Sequence, residues 1–438
     1  MWIGRLSTNP NYPQWAEFVF MAGTFRNKIA LLAVFLLQGA LIISAASEPL
    51  SPQGKRWPKG PIRISISTSL RENLALVPAD SVTRSLFNAL AKWEAVADVE
   101  FEVVWSDAAA VSPKGNSGDG VSLITIAPVA ENLLLFSNGK SDAAAVTRLY
   151  RNKQNQITEA DIVLNPATQF SVDGAFGTFD LEQVFTHEVG HLLGLEHSMI
   201  RTSVMFEELS KNGYLTDERS DALTAADVGN IRSLYGSRGT GSDDCSQLSG
   251  RVLGRNLRGA TIAAHDTRTG ALITSARTSN NGSYTFGCVP QGRFDLIASA
   301  DSTDKNRSYI FLQTVTLNSK IVEVLSRQYA PVELDFDIFA MGRNNLISNG
   351  PVRVASGETF RAVIAGRNIA EAALKFGSSS PQIAIRILGN VSSEFASDNQ
   401  VVRVEIEAGK SLTPGEYSLY AEDGRGQRRY IFGLFRVN

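Results

Sequence analysis

From Lys55 onward, short apolar stretches with strand-like alternation are interleaved with strongly helical patterns. Ile62–Ser67 (IRISIS) has a hydrophobic period of two, which predicts a half-buried strand. Beyond it, Val82, Leu86, Leu90, Trp93 and Val96 recur at spacings of four, four, three and three, so they share one helix face and belong to a core. Asp80 or Ser81 is placed to cap that helix. Further strands are expected at Val99–Val104, Leu123–Ile126, Ala144–Tyr150 and Ala160–Asn165. A second helix opens at Phe179 and Asp180: Asp180 and Glu182 suit the positive end of a helix, and Leu181, Val184 and Phe185 supply an apolar side. A third starts near Thr224, where Asp227, Val228, Ile231 and Leu234 lead to Tyr235 and Gly236. One strand-rich sheet with a few helices results.

After this the pattern changes. Ser237–Asp244 (SRGTGSDD) is small, polar and glycine-containing, as a linker is. Beyond it no long helical period returns, and strand-like stretches recur between turn signals: SGRVLG, GATIAAHD, GALITSART, GSYTFGCV and GRFDLIAS. That rhythm predicts a β-sandwich over 245–329, and a second all-β unit over 330–438 with turns at Ser356-Gly357 and Pro414-Gly415.

Length agrees with several domains, since 438 residues at roughly 100–200 per domain gives two to four. A hydrophobic fraction of 43% with 20% charged residues fits globular modules. The net charge is −2, from 42 basic and 44 acidic residues, so nothing in the charge balance argues for nucleic acid or an anionic membrane surface as a partner. Near the N-terminus, Arg26 and Lys28 precede an apolar run from Ile29 to Ile43 and then the small residues Ser44–Ser47. This reads as a secretory signal peptide within 1–46, cleaved after Ala46; the run is shorter than the roughly 20 residues that span a bilayer, so no integral membrane segment is expected in the mature chain. Met21 stands where such a peptide would begin, which makes it the expected start. The cysteines number two, Cys245 and Cys288; in an exported protein they suggest a disulfide, with two buried free thiols as the alternative.

The candidate chemistry is concentrated in THEVGHLLGLEHS, Thr186–Ser198, which holds three of the four histidines. His187 and His191 are four apart, so on a helix they project from one face and can reach one metal ion. Glu188 stands beside the open side of that ion, where a carboxylate can take a proton from a water on zinc and pass it to a leaving amine. Gly194 can adopt a positive φ, end the helix and turn the chain back so that His197 approaches the same ion. Three neutral imidazoles leave a fourth tetrahedral position for water, the signature of a catalytic zinc site.

HEVGHLLGLEHS resembles the extended zinc motif of the metzincin metallopeptidases, HExxHxxGxxH, and Ser198 resembles the matrixin branch. The resemblance runs over roughly Arg56–Gly236, taking in RWPKGPIRISIS, SLFNALAKWEAVADVEFEVV, ITEADIVLN and LTAADVGNIRSLYG. It implies an α+β metzincin-like catalytic domain over 55–236, with a twisted, mainly parallel sheet and three helices, followed by two all-β sandwich domains. It implies one catalytic Zn2+ held by His187, His191 and His197, Glu188 as the catalytic residue, and Met205 in RTSVMF as the hydrophobic floor under the ion. It also implies that the edge strand near Ala144–Tyr150 pairs with an extended protein or peptide substrate, and that the loop Phe206–Leu223 borders the pocket beyond the cleaved bond.

Departures matter too. The remaining histidine, His265, lies in the β region, so the second, structural zinc of animal matrixins is not expected, and no cysteine precedes the catalytic region to form a cysteine switch. Ca2+ is common in that family, but no acidic loop here maps onto a calcium site. Ser249–Ser299 resembles carboxypeptidase-regulatory-like sandwich repeats, and VASGETFRAVIAGRNI an IPT/TIG-type Ig-like domain, which makes these modules spacers or candidates for docking to a surface or substrate. The expectation is a secreted or envelope-associated zinc metalloendopeptidase; the alternative is a secreted adhesion or matrix-binding protein with a vestigial zinc domain.

Overall fold

The computed structural model describes residues 56–72, 78–111, 118–137, 143–209, 211, 222–238, 245–254, 259–299, 308–343, 346–348, 350–370, 373–391 and 399–438, all within one compact unit. The expected signal peptide, with Met21 and the cleavage point after Ala46, and most of the linker 237–244 lie outside the described residues.

The N-terminal half is built on a five-stranded sheet. Its strands are β1 (Ile62–Ser67), β2 (Phe101–Ser106), β3 (Leu123–Thr125), β4 (Ala145–Arg151) and β5 (Ile157–Leu164), in the order β2-β1-β3-β5-β4. Four run parallel; β4 alone is antiparallel, paired along its length with β5, and forms one edge. β5 is buried over almost all of its length, as expected for a strand covered on both faces.

Helices α1 (Ser69–Glu72) and α3 (Ala130–Leu133) are single turns; α2 (Ala79–Val96), α4 (Leu181–Leu192) and α5 (Ala225–Tyr235) carry the packing. Val82, Leu86, Leu90 and Trp93 of α2 are buried as their spacing requires, against Val184, Phe185 and Val189 of α4 in the main core. The N-terminus of α2 differs from expectation, because neither Asp80 nor Ser81 caps it. Pro78 takes the cap position, its carbonyl accepting from Ser81 N (2.8 Å) and Val82 N (3.2 Å). Proline tolerates that place because an amide there would have no helical partner, and Asp80 falls inside the first turn, where its charge faces the helix dipole. α4 starts at Leu181, two residues later than expected: Phe179 and Asp180 form a short strand, and Asp180 caps the helix from outside its first turn, its carboxylate accepting from Gln183 N at 3.0 Å. α5 has a full capping box between Thr224 and Asp227.

The C-terminal half is all β, and its two sandwiches share one sheet. Strands Ile310–Leu317, Gly292–Ser299, Thr261–Asp266 and Leu272–Arg277 continue, through the pair Leu272 and Glu416, into Gly415–Glu422, Arg428–Val437 and Val352–Val354. A small sheet around Cys245–Leu253 covers the first part and a five-stranded sheet around Thr359–Arg367 covers the second, each enclosing its own apolar core. Cys245 and Cys288 form a disulfide that ties adjacent strands together.

These β regions are not strung out from the helical half as spacers. α5 lies against Ser283–Pro290 and Leu272–Arg277 so closely that a Cβ at Gly229 would stand 2.8 Å from the Cys288 carbonyl oxygen. Another apolar cluster joins Ile200 and Ala226 of the first half to Ala263, Leu272, Ile297 and Tyr309 and to Tyr430 and Phe432. Burial of apolar surface is what couples these parts.

Candidate metal centre

α4 places His187 and His191 one turn apart, with their Nε2 atoms 3.1 Å from each other. The helix then ends in a Schellman turn: Gly194 N donates to His191 O (2.8 Å), Leu195 N donates to Gly190 O (3.0 Å), and Gly194 has φ 95°. A side chain at Gly194 would be strained there, which accounts for the glycine. The reversal returns His197 to the other two, with ring centroids 5.3 Å from His187 and 4.7 Å from His191. One nitrogen from each of the three rings lies within 4.8 Å of the others, and this trio could hold a metal ion.

The rings are oriented by their second nitrogens. His187 Nδ1 is 2.8 Å from Val204 O, and His191 Nδ1 is 2.8 Å from Leu195 O. A carbonyl can only accept, so each Nδ1 carries the proton and each Nε2 is left with its lone pair toward the shared point. Burial, and then the neighbouring His191, push the His187 imidazole down to about 3, against the opposing pull of the Val204 carbonyl, so the ring is neutral at ordinary pH. Neutral imidazoles with presented Nε2 lone pairs are the donor set zinc prefers, and the site fits that ion.

Around the trio, Met205 is buried directly beneath α4. A Cβ at Gly190 would stand 2.3 Å from Met205 Sδ and 3.0 Å from Trp93 Cζ2, so any side chain there would have to push the Met205 thioether aside, and glycine lets the helix lie close on this floor. The end of α4 is fastened as well: Trp57 Nε1 donates to Leu192 O (2.9 Å) and Tyr235 Oη to Leu193 O (2.8 Å), satisfying carbonyls that the helix leaves over. Asp227 reaches across from α5, accepting from Ser203 Oγ (2.5 Å), Val204 N (3.1 Å) and Thr224 N (2.9 Å). Burial raises its pKa, while the bonds from Ser203, Thr224 and Val204 act in the opposite direction.

A cleft of about 610 Å3 opens above the trio, between edge strand β4 on one side and Glu207, Glu208 and Leu209 on the other. Glu188 lines it, and Thr147 Oγ1 of β4 hydrogen-bonds both to the Glu188 carbonyl (3.2 Å) and to its carboxylate Oε2. Of the loop expected to border the cleft, positions 210 and 212–221 lie outside the described residues. His265 is not part of the trio: it is buried in the strand Thr261–Asp266 and shares a 2.9 Å hydrogen bond with Ser418 Oγ.

Thr147, Gly190 and Asp227 are absent from the set that sequence reasoning selects. Asp227 has a readable signal in the capping box Thr224-x-x-Asp227. Thr147 and Gly190 have none, because what they touch comes from distant segments.

The known proteins to which this chain is similar are metallopeptidases at the level of family. Residues 138–236 match the Matrixin family of peptidases. Metalloendoproteinase 5-MMP from Arabidopsis thaliana is 25% identical over 217 residues, covering 48% of this chain and 54% of its own. Metalloendoproteinase 4-MMP from the same plant is 28% identical over 192 residues, covering 42% and 49%, and 1-MMP is 27% identical over 186 residues, covering 41% and 44%. The chain therefore carries a matrixin-like metzincin domain, and it spans about half the length of the relatives it matches. A solved structure, the BIgI domain of beta protein from S. agalactiae bound to CEACAM1, aligns over 24% of this chain and 96% of that one at 12% identity; its TM-score of 0.15 adds nothing to the fold described above.

Proposed function

We propose that the protein is an exported zinc-dependent metalloendopeptidase, with His187, His191 and His197 as metal ligands and Glu188 as the catalytic residue. The observation that carries this reading is the convergence of three ring nitrogens within 4.8 Å beside a carboxylate in one cleft. Zinc bound there would supply a Lewis acid that polarises the scissile carbonyl and makes a water more acidic.

The chain's own residues do the rest. β4, as an edge strand, offers its outer backbone groups to an extended peptide and so lays the scissile bond across the cleft. Glu188 accepts a proton from the attacking water as the water oxygen bonds to the carbonyl carbon, then delivers it to the amine nitrogen as the C–N bond breaks. Thr147 holds one carboxylate oxygen of Glu188, fixing the direction from which that proton is taken. Met205 and Gly190 keep the ligand helix seated, and Gly194 supports the reversal that brings in His197.

Export is supported by the Cys245–Cys288 disulfide, a bond that persists in oxidising compartments. Among the described residues no helix is long and apolar enough to cross a membrane. The rival reading, an adhesion protein with a vestigial metal site, finds no support in the cleft, where Glu188 stands beside the three histidines. The deciding experiment is digestion of an unstructured protein by the purified full chain. Cleavage that 1,10-phenanthroline stops and zinc restores supports the peptidase, and zinc-loaded protein that cleaves nothing rejects it.

A further inference from the structure

The loop that follows the third histidine straddles two cores. Ser198 N donates to Met205 O (2.8 Å) and closes it at the base, where Val204 and Met205 belong to the core of the N-terminal half. Its apex does not. Ile200 is 1% exposed and belongs to an apolar cluster with Tyr309, Tyr430 and Phe432 of the β region. Arg201 N donates to the Phe432 carbonyl (2.9 Å), and Arg201 Nη2 donates to the Phe339 carbonyl (3.1 Å).

A bulge makes this contact possible. In the pairing of Gly415–Glu422 with Arg428–Val437, Tyr417 faces Phe435 and Leu419 faces Ile431, so Ser418 alone stands opposite Phe432, Gly433 and Leu434. Gly433 takes φ 62°, and its N–H turns to Ser418 Oγ (3.3 Å), which leaves the Phe432 carbonyl aimed outward at Arg201. The fit at this point is close: a Cβ on Gly433 would stand 2.6 Å from Ile200 Cγ2 and 3.0 Å from Thr202 Oγ1.

Building on the metal-site reading above, we propose that the bulged C-terminal strand is part of the scaffold of the metal centre, with Gly433 and Arg201 as positioning residues that fix the Ser198–Met205 loop and through it His197 and Met205. The β region then does more than extend the chain. A shift of this strand is passed to the ligand loop through one backbone hydrogen bond, one guanidinium hydrogen bond and a tightly packed isoleucine. The base of the loop is held by the Ser198–Met205 bond and by Asp227 through Ser203 Oγ and Val204 N, whereas its apex is held from the β region by the two Arg201 bonds, so releasing those frees the Ile200–Thr202 end of the loop.

The test uses the full chain with Gly433→Val, Arg201→Met and Arg201→Lys, and the pair Gly433→Ala with Ile200→Ala. Zinc affinity is measured by competition with a chromophoric chelator, and ligand geometry by the visible spectrum of the Co2+-substituted protein. Gly433→Val and Arg201→Met are expected to bind zinc about 10-fold or more weakly and to shift the Co2+ bands. Arg201→Lys, which keeps a donor for Phe339 O, should recover part of the loss, and Ile200→Ala should recover part of that from Gly433→Ala. Hydrogen exchange on the metal-free proteins gives a second readout, with the Ser198 and Arg201 amides exchanging faster in Gly433→Val and Arg201→Met. Wild-type affinity, spectrum and exchange in folded variants would overturn the proposal. Should the wild-type chain bind no zinc, the metal-site reading fails, and the exchange rates still decide whether the strand holds the loop.

Discussion

His187 Nδ1 and Val204 O are 2.8 Å apart, and the amide of that same Val204 is held by the Asp227 carboxylate at 3.1 Å. One residue, Val204, therefore links the capping-box Asp227 of α5 to the orientation of a ligand on α4. Asp227→Ala would strand the Ser203 and Thr224 hydroxyls and two amides in a buried place, at a cost on the order of 3 kcal/mol. The expected outcome is a lower unfolding midpoint together with weaker zinc binding. A variant with the stability loss and unaltered zinc affinity would separate Asp227 from the ligand.

Glu188 and His191 should respond differently to removal. Glu188→Ala is expected to keep zinc while losing about 100-fold or more of its peptidase activity, the range for a positioned acid–base group. His191→Ala should lose zinc and activity together. Parallel elemental analysis and a fluorogenic peptide assay on both variants check this; Glu188→Ala with wild-type turnover would remove the residue from the mechanism.

Acid should loosen the junction between the β sandwiches through His265. Burial pushes its imidazole down to about 3, its Nε2 shares a bond with Ser418, and its Nδ1 has no hydrogen-bond partner. The folded state binds the proton less readily than the unfolded chain, whose histidines titrate near 6.5. The neutral ring's contribution is therefore fully present above about 6.5 and is lost as pH falls toward 3. His265→Leu should flatten this part of the pH dependence. Urea unfolding at pH 7 and pH 4.5 for both chains is the measurement, and identical slopes would contradict the assignment.

Reduction of Cys245–Cys288 should destabilise the region against which α5 packs. The bridged residues are 43 apart in sequence. The chain-entropy account gives a contribution of about 4 kcal/mol for a loop of that size. Denaturant midpoints with and without reductant are expected to differ accordingly. Coincident curves would show that the strand pairing of Ser283–Pro290 with Cys245–Leu253 suffices alone.

Much of the N-terminal half is legible because its signals are local. The period of two in IRISIS, the spacing of Val82, Leu86, Leu90 and Trp93, the acidic start with Asp180 and Glu182, and the helical pattern after Thr224 each act within a few turns of chain, and the corresponding elements form. Asp180 and Thr224 prove to be caps, which the pattern does not single out. Gly194 is legible for the same reason, since a helix end followed by a reversal needs a positive φ at one place. The start of α2 is read wrongly because Pro78 competes with the acidic and hydroxyl candidates, and its carbonyl suffices. Gly190 and Thr147 are hidden because Met205, Trp93 and Glu188 reach them only through the tertiary fold. The most distant relationship is that of Ile200 with Gly433. No periodicity joins the two positions, and a positive-φ glycine inside a strand pattern announces a bulge without saying what passes over it.

The most direct test of the metal centre is elemental analysis of the full chain after equilibrium dialysis against buffered zinc, beside His187→Ala and His197→Ala. The arrangement of the three imidazoles predicts one zinc per wild-type chain and little in either variant. Wild-type protein carrying no zinc above the dialysis buffer, or variants that retain a full equivalent, would contradict it.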